Sequence, residues 1–193
     1  MNILVCGVGG QGVLLFSNIV ADLALTAGLD VKKSEVHGMA QRGGSVTSHI
    51  RFEPKVYSPL IEEGTADMIV GFEMMEALRC IHFLGPNGRL IFDPHRIDSM
   101  PVSIGAVERP TDERLGERLA IRAPVRQAVP AFATALRLGS SRVQNTVMLG
   151  AVSCFLEFPA EAFRQAIAGL VRPQAVELNL KAFAAGQALC TSA

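Results

Sequence analysis

Tryptophan is absent from this sequence and tyrosine occurs once, at Tyr57. Surfaces that stack nucleobases are built from such side chains, so binding of single-stranded nucleic acid is disfavoured from the outset. Neither sign of charge is in excess, because 18 basic residues face 18 acidic ones. That balance supplies neither the basic stripe of a nucleic-acid binder nor the polybasic patch of a membrane-surface protein. No apolar run reaches the roughly 18 residues that a spanning helix requires, and no basic segment precedes the apolar N-terminus. A soluble, cytoplasmic protein is expected.

Cysteine is sparse and dispersed. Cys6, Cys80, Cys154 and Cys190 share no C-x-x-C spacing, so neither a redox pair, an iron–sulfur pattern nor a zinc set can be read from them. Buried free thiols in a reducing compartment are the expectation. Charged residues are also few, 19% of the chain against 49% hydrophobic. Two accounts are open, a well-filled core or apolar surface covered by another chain.

What the chain does have is glycine, placed where it matters. Residues 2–12 read N-I-L-V-C-G-V-G-G-Q-G, an apolar run that enters a glycine cluster. Val13, Leu14, Phe16, Ile19, Val20, Leu23 and Ala24 then recur at the spacing of one helix face. Strand, tight turn and helix are predicted in that order. Gly7, Gly9 and Gly12 match G-x-G-x-x-G, a pattern whose glycines let the backbone approach a phosphate at a helix N-terminus. Glu35 stands where a dinucleotide site would want its ribose-binding acid. It is followed, however, by a second polar glycine segment, His37-Gly38-Met39-Ala40-Gln41-Arg42-Gly43-Gly44. The glycines therefore admit three readings: an NAD(P) site, close packing with no ligand, or a loop that meets an anion carried by a partner or another cofactor. The second segment favours the last.

Further along, residues 31–36 read as a strand, and 45–52 alternate apolar and polar residues like a half-exposed strand. Residues 66–72 form an apolar run suited to a central parallel strand covered on both faces. A helix is expected over 73–83, a turn at Gly85-Pro86-Asn87-Gly88, a strand over 89–93 and another within 100–107. Thr111 caps a helix, and helical spacing dominates 128–138, 143–158, 160–170 and 175–189, with Pro159 and Pro173 at junctions. The length of 193 residues suits one domain, 1–193,. The expected class is α/β, a Rossmann-like layered and mostly parallel sheet with flanking helices and a helical C-terminal third.

Three segments together carry a resemblance: Gly7-x-Gly-Gly-Gln-Gly12, residues 34–46 with their G-M-A-Q-R-G-G core, and Asn145-x-x-x-Leu149-Gly150-Ala151. The chain resembles the gamma domain of 2-oxoacid:ferredoxin oxidoreductases over nearly its whole length. Its short free-standing form is similar to that of the indolepyruvate (aryl pyruvate) type. The resemblance implies an enzyme that decarboxylates a 2-oxoacid on thiamine diphosphate, passes electrons through 4Fe-4S clusters to ferredoxin and yields an acyl-CoA. It also implies that thiamine and clusters belong to a large alpha subunit, that ferredoxin is met through the complex, and that this chain is inactive alone.

The candidate binding residues are Gly9, Gly10, Gln11, Gly12, Gln41, Arg42, Gly43 and Gly44. Arg42, flanked by glycines, suits a phosphate or carboxylate, so coenzyme A or a carboxylate of the large subunit is its expected contact. His37 has no nearby nucleophile to support proton transfer and reads as a hydrogen-bonded loop histidine. Arg142 and Asn145 lie a helical turn apart, with Asn145 a buried brace between helices. A catalytic residue and a metal ligand are both absent from the reading. A stand-alone nucleotide- or CoA-binding module and an NAD(P)-dependent dehydrogenase remain as alternatives.

Overall fold

The computed structural model describes residues 1–38, 43–98, 100–108 and 110–190, apart from the side chains of Met100 and Pro101. Strand β1, Asn2–Val8, has its side chains divided between two hydrophobic clusters. Ile3 and Val5 enter one, Leu4 and Cys6 the other, as the two-residue period of a strand requires when both faces are covered. Strand β4, Ala66–Gly71, does the same, with Met68 and Val70 on the first side and Ile69 on the second.

Strands β2 (Asp30–His37), β3 (Ser45–Glu53), β5 (Leu84–Phe92) and β6 (Arg126–Ala128) complete a sheet of order β2-β3-β1-β4-β5-β6. β1, β4, β5 and β6 pair in parallel, whereas β3 is antiparallel to both β1 and β2. β2 therefore runs with β1, and the sheet is mixed by one reversed strand. The expected mostly parallel layered sheet is what the chain forms.

Helix α1, Val13–Thr26, covers the first face, where Phe16 meets Phe72 edge-on at 5.6 Å. Helices α2 (Met74–Cys80) and α4 (Asp112–Arg122) cover the other, through Ala77, Leu115 and Leu119. Thr111 caps α4 as its sequence indicates, its hydroxyl accepting the Arg114 N–H at 3.2 Å,. The C-terminal third forms α5 (Ala131–Arg137), α6 (Gln144–Ser153), α7 (Ala160–Leu170) and α8 (Val176–Gln187). Every residue of α6 is buried, so this helix is covered all round and serves as the post against which α8, α5 and α1 pack,.

Three expectations are corrected. Residues 100–107 hold a short helix α3, Met100–Ser103, and a turn in place of a strand. The position beside β5 is taken by β6, whose three residues are too few to show a period in sequence,. The Gly85–Gly88 turn lies inside β5 as an irregularity, where the pairing shifts from Ala66 with Leu84 to Met68 with Arg89. Glycine there marks a bulge, since a Cβ on Gly88 would lie 2.7 Å from the Ala66 carbonyl,. Finally, β3 is an inner strand with Ser48 and His49 buried. His49 Nδ1 accepts the Ile61 N–H at 3.2 Å, and burial pushes its pKa below the ordinary histidine value,.

Candidate functional site: the paired glycine loops

β1 leads through α1 towards β2, while β4 leads through α2 towards β5, so the two connections leave the β1/β4 boundary in opposite directions. At such a switch point open α/β sheets form a crevice beyond the strand ends. Both glycine segments converge there. The Gly9 N–H donates to the Gly44 carbonyl at 2.8 Å, and the Gly43 N–H to the Gly9 carbonyl at 3.4 Å. Gly38 closes the second segment by donating to the Ser45 carbonyl at 3.1 Å. The loop after β1 and the loop before β3 are therefore one surface.

Gly10 and Gly43 have φ of 105° and 79°, and a Cβ on either would meet no atom within 4 Å. Backbone conformation, with open space in front of it, explains glycine at both. Gly12, at φ 83°, is the N-cap of α1 and offers no side-chain cap. The first N–H groups of α1 are thus left without a side-chain acceptor, with the positive end of the helix dipole behind them,. That cavity measures about 310 Å³ and is bounded by Gly9, Gly10, Gly12, Leu14, His37 and Val46 among others. The uncapped start of α1 at its edge suits an anion,.

Gln11 plays a different part from its neighbours. Its Oε1 accepts the Val8 N–H at 2.7 Å, and its Nε2 donates to the Phe72 carbonyl at 2.8 Å and towards Gln144 Oε1 at 3.5 Å. The side chain faces inward and fills the crevice. Gln144 continues the chain of bonds, its Nε2 reaching the Phe72 carbonyl at 3.1 Å and Asp93 Oδ2 at 2.9 Å. Asp93 also accepts the His95 and Phe132 N–H groups at 2.9 and 2.6 Å. Burial nevertheless holds the Asp93 carboxyl above its ordinary pKa, outweighing the bonds that lower it,. This network locks together the ends of β1, β4 and β5 beneath the loops.

A second brace runs from β3 to α2. The Ser45 hydroxyl donates to Glu76 Oε2 at 2.5 Å, and Arg79 holds Glu76 Oε1 at 2.7 Å. Glu73 caps α2 by accepting the Glu76 N–H at 2.9 Å, and burial raises its pKa. Sequence reasoning missed Gln144, Asp93, Glu73 and Glu76. Polar residues at strand ends carry no pattern of their own, although Gln144 directly precedes the Asn145 motif.

The structure brings Gly9, Gly10, Gly12, Gly43 and Gly44 together, with Gln11 beneath them. Gln41 and Arg42 lie outside the described residues. His37 lines the cavity with its Nε2 3.9 Å from Glu35 Oε2. Glu35 itself pairs with Lys33 at 2.5 Å. Because β3 separates β2 from β1, Glu35 stands about 10 Å, two strand spacings, from the strand that feeds the glycine loop,. Asn145 is buried against Gly12, while Arg142 is exposed. Next to Asn145, Thr146 donates to Asn179 Oδ1 at 2.6 Å, so the polar brace joins α6 to α8.

Cysteines pair in two separate places. Cys6 and Cys80 share a buried cluster, where the Cys80 thiol together with burial raises the Cys6 pKa. Cys190 meets Cys154 near the surface. Among the described residues no group of three or more His, Cys, Asp or Glu side chains is placed to hold a metal ion. Nor is any described helix long and apolar enough to cross a membrane.

Residues 2–189 match the family model described as pyruvate ferredoxin/flavodoxin oxidoreductase. The indolepyruvate oxidoreductase subunit IorB of Archaeoglobus fulgidus is 39% identical over 191 residues, covering 96% of this chain and 93% of the relative. Its namesake in Pyrococcus horikoshii is 38% identical over 188 residues with the same coverage of each chain. Among solved structures, the keto/oxoacid ferredoxin oxidoreductase gamma subunit of Geobacter sulfurreducens superposes with a TM-score of 0.70. It covers 97% of this chain and 96% of its own at 24% identity, a likeness that bears on the fold.

Proposed function

This chain belongs to the pyruvate ferredoxin/flavodoxin oxidoreductase family, and from that premise we propose that it serves an enzyme acting on indolepyruvate. It is a small subunit of a 2-oxoacid ferredoxin oxidoreductase. The observation that carries the substrate is the end-to-end match to indolepyruvate oxidoreductase subunits, 93% of whose length it spans. We read the chain as one gamma-type domain in a cytoplasmic complex, beside a larger subunit that holds thiamine diphosphate and 4Fe-4S clusters and reduces ferredoxin.

The chain's own residues do not fit a cluster. Its cysteines sit two and two in separate places, and no step of electron transfer is assigned to them. The paired glycine loops do fit an anion. Coenzyme A, when bound, supplies the thiol that takes up the acyl group; the part of this chain is to hold negative charge against backbone N–H groups. We place the loop surface, Gly9, Gly10, Gly12, Gly43 and Gly44 with Gln41 and Arg42, against the large subunit, where it meets a coenzyme A phosphate or a partner carboxylate. The NAD(P) reading is disfavoured by β3, which separates the strand of Glu35 from the strand that feeds the loop,.

Dye reduction dependent on a 2-oxoacid, measured for each subunit and for the mixture, tests the assignment. Activity is expected from the mixture, with indolepyruvate preferred over 2-oxoglutarate. Turnover by the small chain alone, or preference for another oxoacid, would overturn it. Arg42→Ala separates the two anions. A higher KM for coenzyme A with intact co-purification marks a phosphate contact, and weakened co-purification with unchanged KM marks a carboxylate. Wild-type behaviour in both assays would leave the loop a connection only.

A further inference from the structure

Helices α6 and α8 run in the same direction and touch through glycine. A Cβ on Gly150 would lie 2.1 Å from the Phe183 carbonyl and 2.8 Å from the Gln187 nitrogen. One on Gly186 would lie 1.9 Å from the Val147 carbonyl. One turn before this contact Thr146 bonds to Asn179, and one turn after it come Cys154 and Cys190. The Cys154 sulfur folds back to 3.9 Å from the Gly150 carbonyl, on the part of α6 that α8 approaches. Cys190 continues the last turn of the chain beyond α8, its N–H donating to the Gln187 carbonyl at 3.1 Å. Cys154 and Cys190 stand four residues beyond Gly150 and Gly186, one turn past the glycine contact on each side of it, and the Cys154 thiol perturbs that of Cys190,.

We propose that Cys154 and Cys190 are a redox modification site, closing reversibly to a disulfide that ties the end of α8 to the end of α6. Neither residue belongs to the loop surface described above. Their closeness depends on the glycine contact, because larger residues at 150 and 186 would hold the helix ends apart. Two cysteines one turn beyond a backbone contact this close need little backbone movement to reach disulfide geometry,.

The roles of the two sulfurs differ. Cys154 is exposed and Cys190 is partly covered. The Cys190 pKa is pushed up to about 11, first by burial and then by the neighbouring Cys154 thiol, so Cys190 remains a thiol near neutral pH. With hydrogen peroxide as the oxidant, the Cys154 thiolate attacks one oxygen, the O–O bond breaks, and the hydroxide released takes a proton to become water. Cys154 is left as a sulfenic acid. Cys190 then gives up its proton and attacks the Cys154 sulfur; the S–S bond forms, the S–O bond breaks and a second water leaves. Peroxide gains the two electrons that the two thiols lose.

The test exposes the full chain, and separately the assembled enzyme, to hydrogen peroxide, followed by alkylation and peptide mass mapping. A Cys154–Cys190 linked peptide is expected in both samples, two hydrogens lighter than the separate peptides and released by dithiothreitol. Oxidation should raise the melting temperature of the wild-type chain and leave that of Cys190→Ser unchanged. In that variant Cys154 should progress to sulfinic acid, having lost the thiol that resolves it. The proposal falls if wild-type Cys154 reaches sulfinic acid while Cys190 stays alkylatable, or if the link forms in the isolated chain but not in the assembled enzyme.

Discussion

Gly12 and Asn145 are in direct contact across the chain, the first capping α1 and the second buried at the start of α6. A Cβ on Gly12 would sit 2.8 Å from Asn145 Cγ and Nδ2. Gly12 also has φ of 83°, so substitution meets two separate obstacles, a left-handed backbone and a filled space. Gly12→Ala should lower stability by about 3 kcal/mol in urea denaturation. In an Asn145→Ala background the Cγ and Nδ2 contacts are gone and only the residue-145 Cβ remains, at 3.0 Å, so the loss on adding the alanine should shrink to about 2 kcal/mol. Equal losses in the two backgrounds would show that the contact contributes nothing.

Gln144→Glu keeps the size of the side chain but sets a carboxyl where an amide nitrogen now donates to Asp93 at 2.9 Å. At neutral pH two carboxylates would face each other in a buried space, and the variant should be destabilised by about 3 kcal/mol. Acidification lets one proton be shared, so much of the loss should be recovered at lower pH. A loss independent of pH would place the damage elsewhere.

Burial raises the pKa of both Glu73 and Asp93. The native chain therefore keeps these protons at pH values where the unfolded chain has released them. Their effect on stability is most favourable below the ordinary carboxylate range and declines as pH rises through the raised native values. His49, held below its ordinary value, acts in the opposite sense, and its contribution is lost as pH falls from the ordinary histidine value through the lowered one. Glu73→Gln removes one carboxylate only. Its stability should decline less than that of the wild type as pH rises from acid to neutral, as read from denaturation midpoints.

Gly186→Ala drives a methyl group into the Val147 carbonyl, which is backbone and cannot rotate away. A loss of about 3 kcal/mol is expected from overpacking of this kind, or failure to fold. Gly169→Ala is the control, because nothing lies within 4 Å of a Cβ there. It should be neutral or slightly stabilising by thermal melting, since alanine favours a helix.

NAD and NADP should show no binding tighter than about 1 mM by calorimetry. A micromolar dissociation constant for either would mean that the loops bind a dinucleotide despite the position of Glu35, and would reopen the dehydrogenase reading.

The sequence by itself determined the elements whose side chains form an apolar run or repeat with a period. β1 and β4 are apolar runs, as burial on both faces imposes, and α1 repeats its apolar residues at three-and-four spacing,. It also marked both glycine segments, since backbone conformation and close approach leave a trace in residue type. Only the tertiary structure decided that these segments are one surface, through bonds such as Gly9 to Gly44 that join loops distant in sequence. Only it showed β3 lying between β1 and β2. An alternating strand reads the same at an edge and in the interior, and what covers His49 is chosen by Ile61 and Phe83. Gln144 and Asp93 were invisible for a related reason. A lone buried polar side chain has no period, and its meaning lies in partners that the chain brings from the ends of three strands. The same holds for the cysteines, whose wide spacing excluded a cluster motif yet concealed two meetings, one in the core and one at the end of a glycine-lined helix pair.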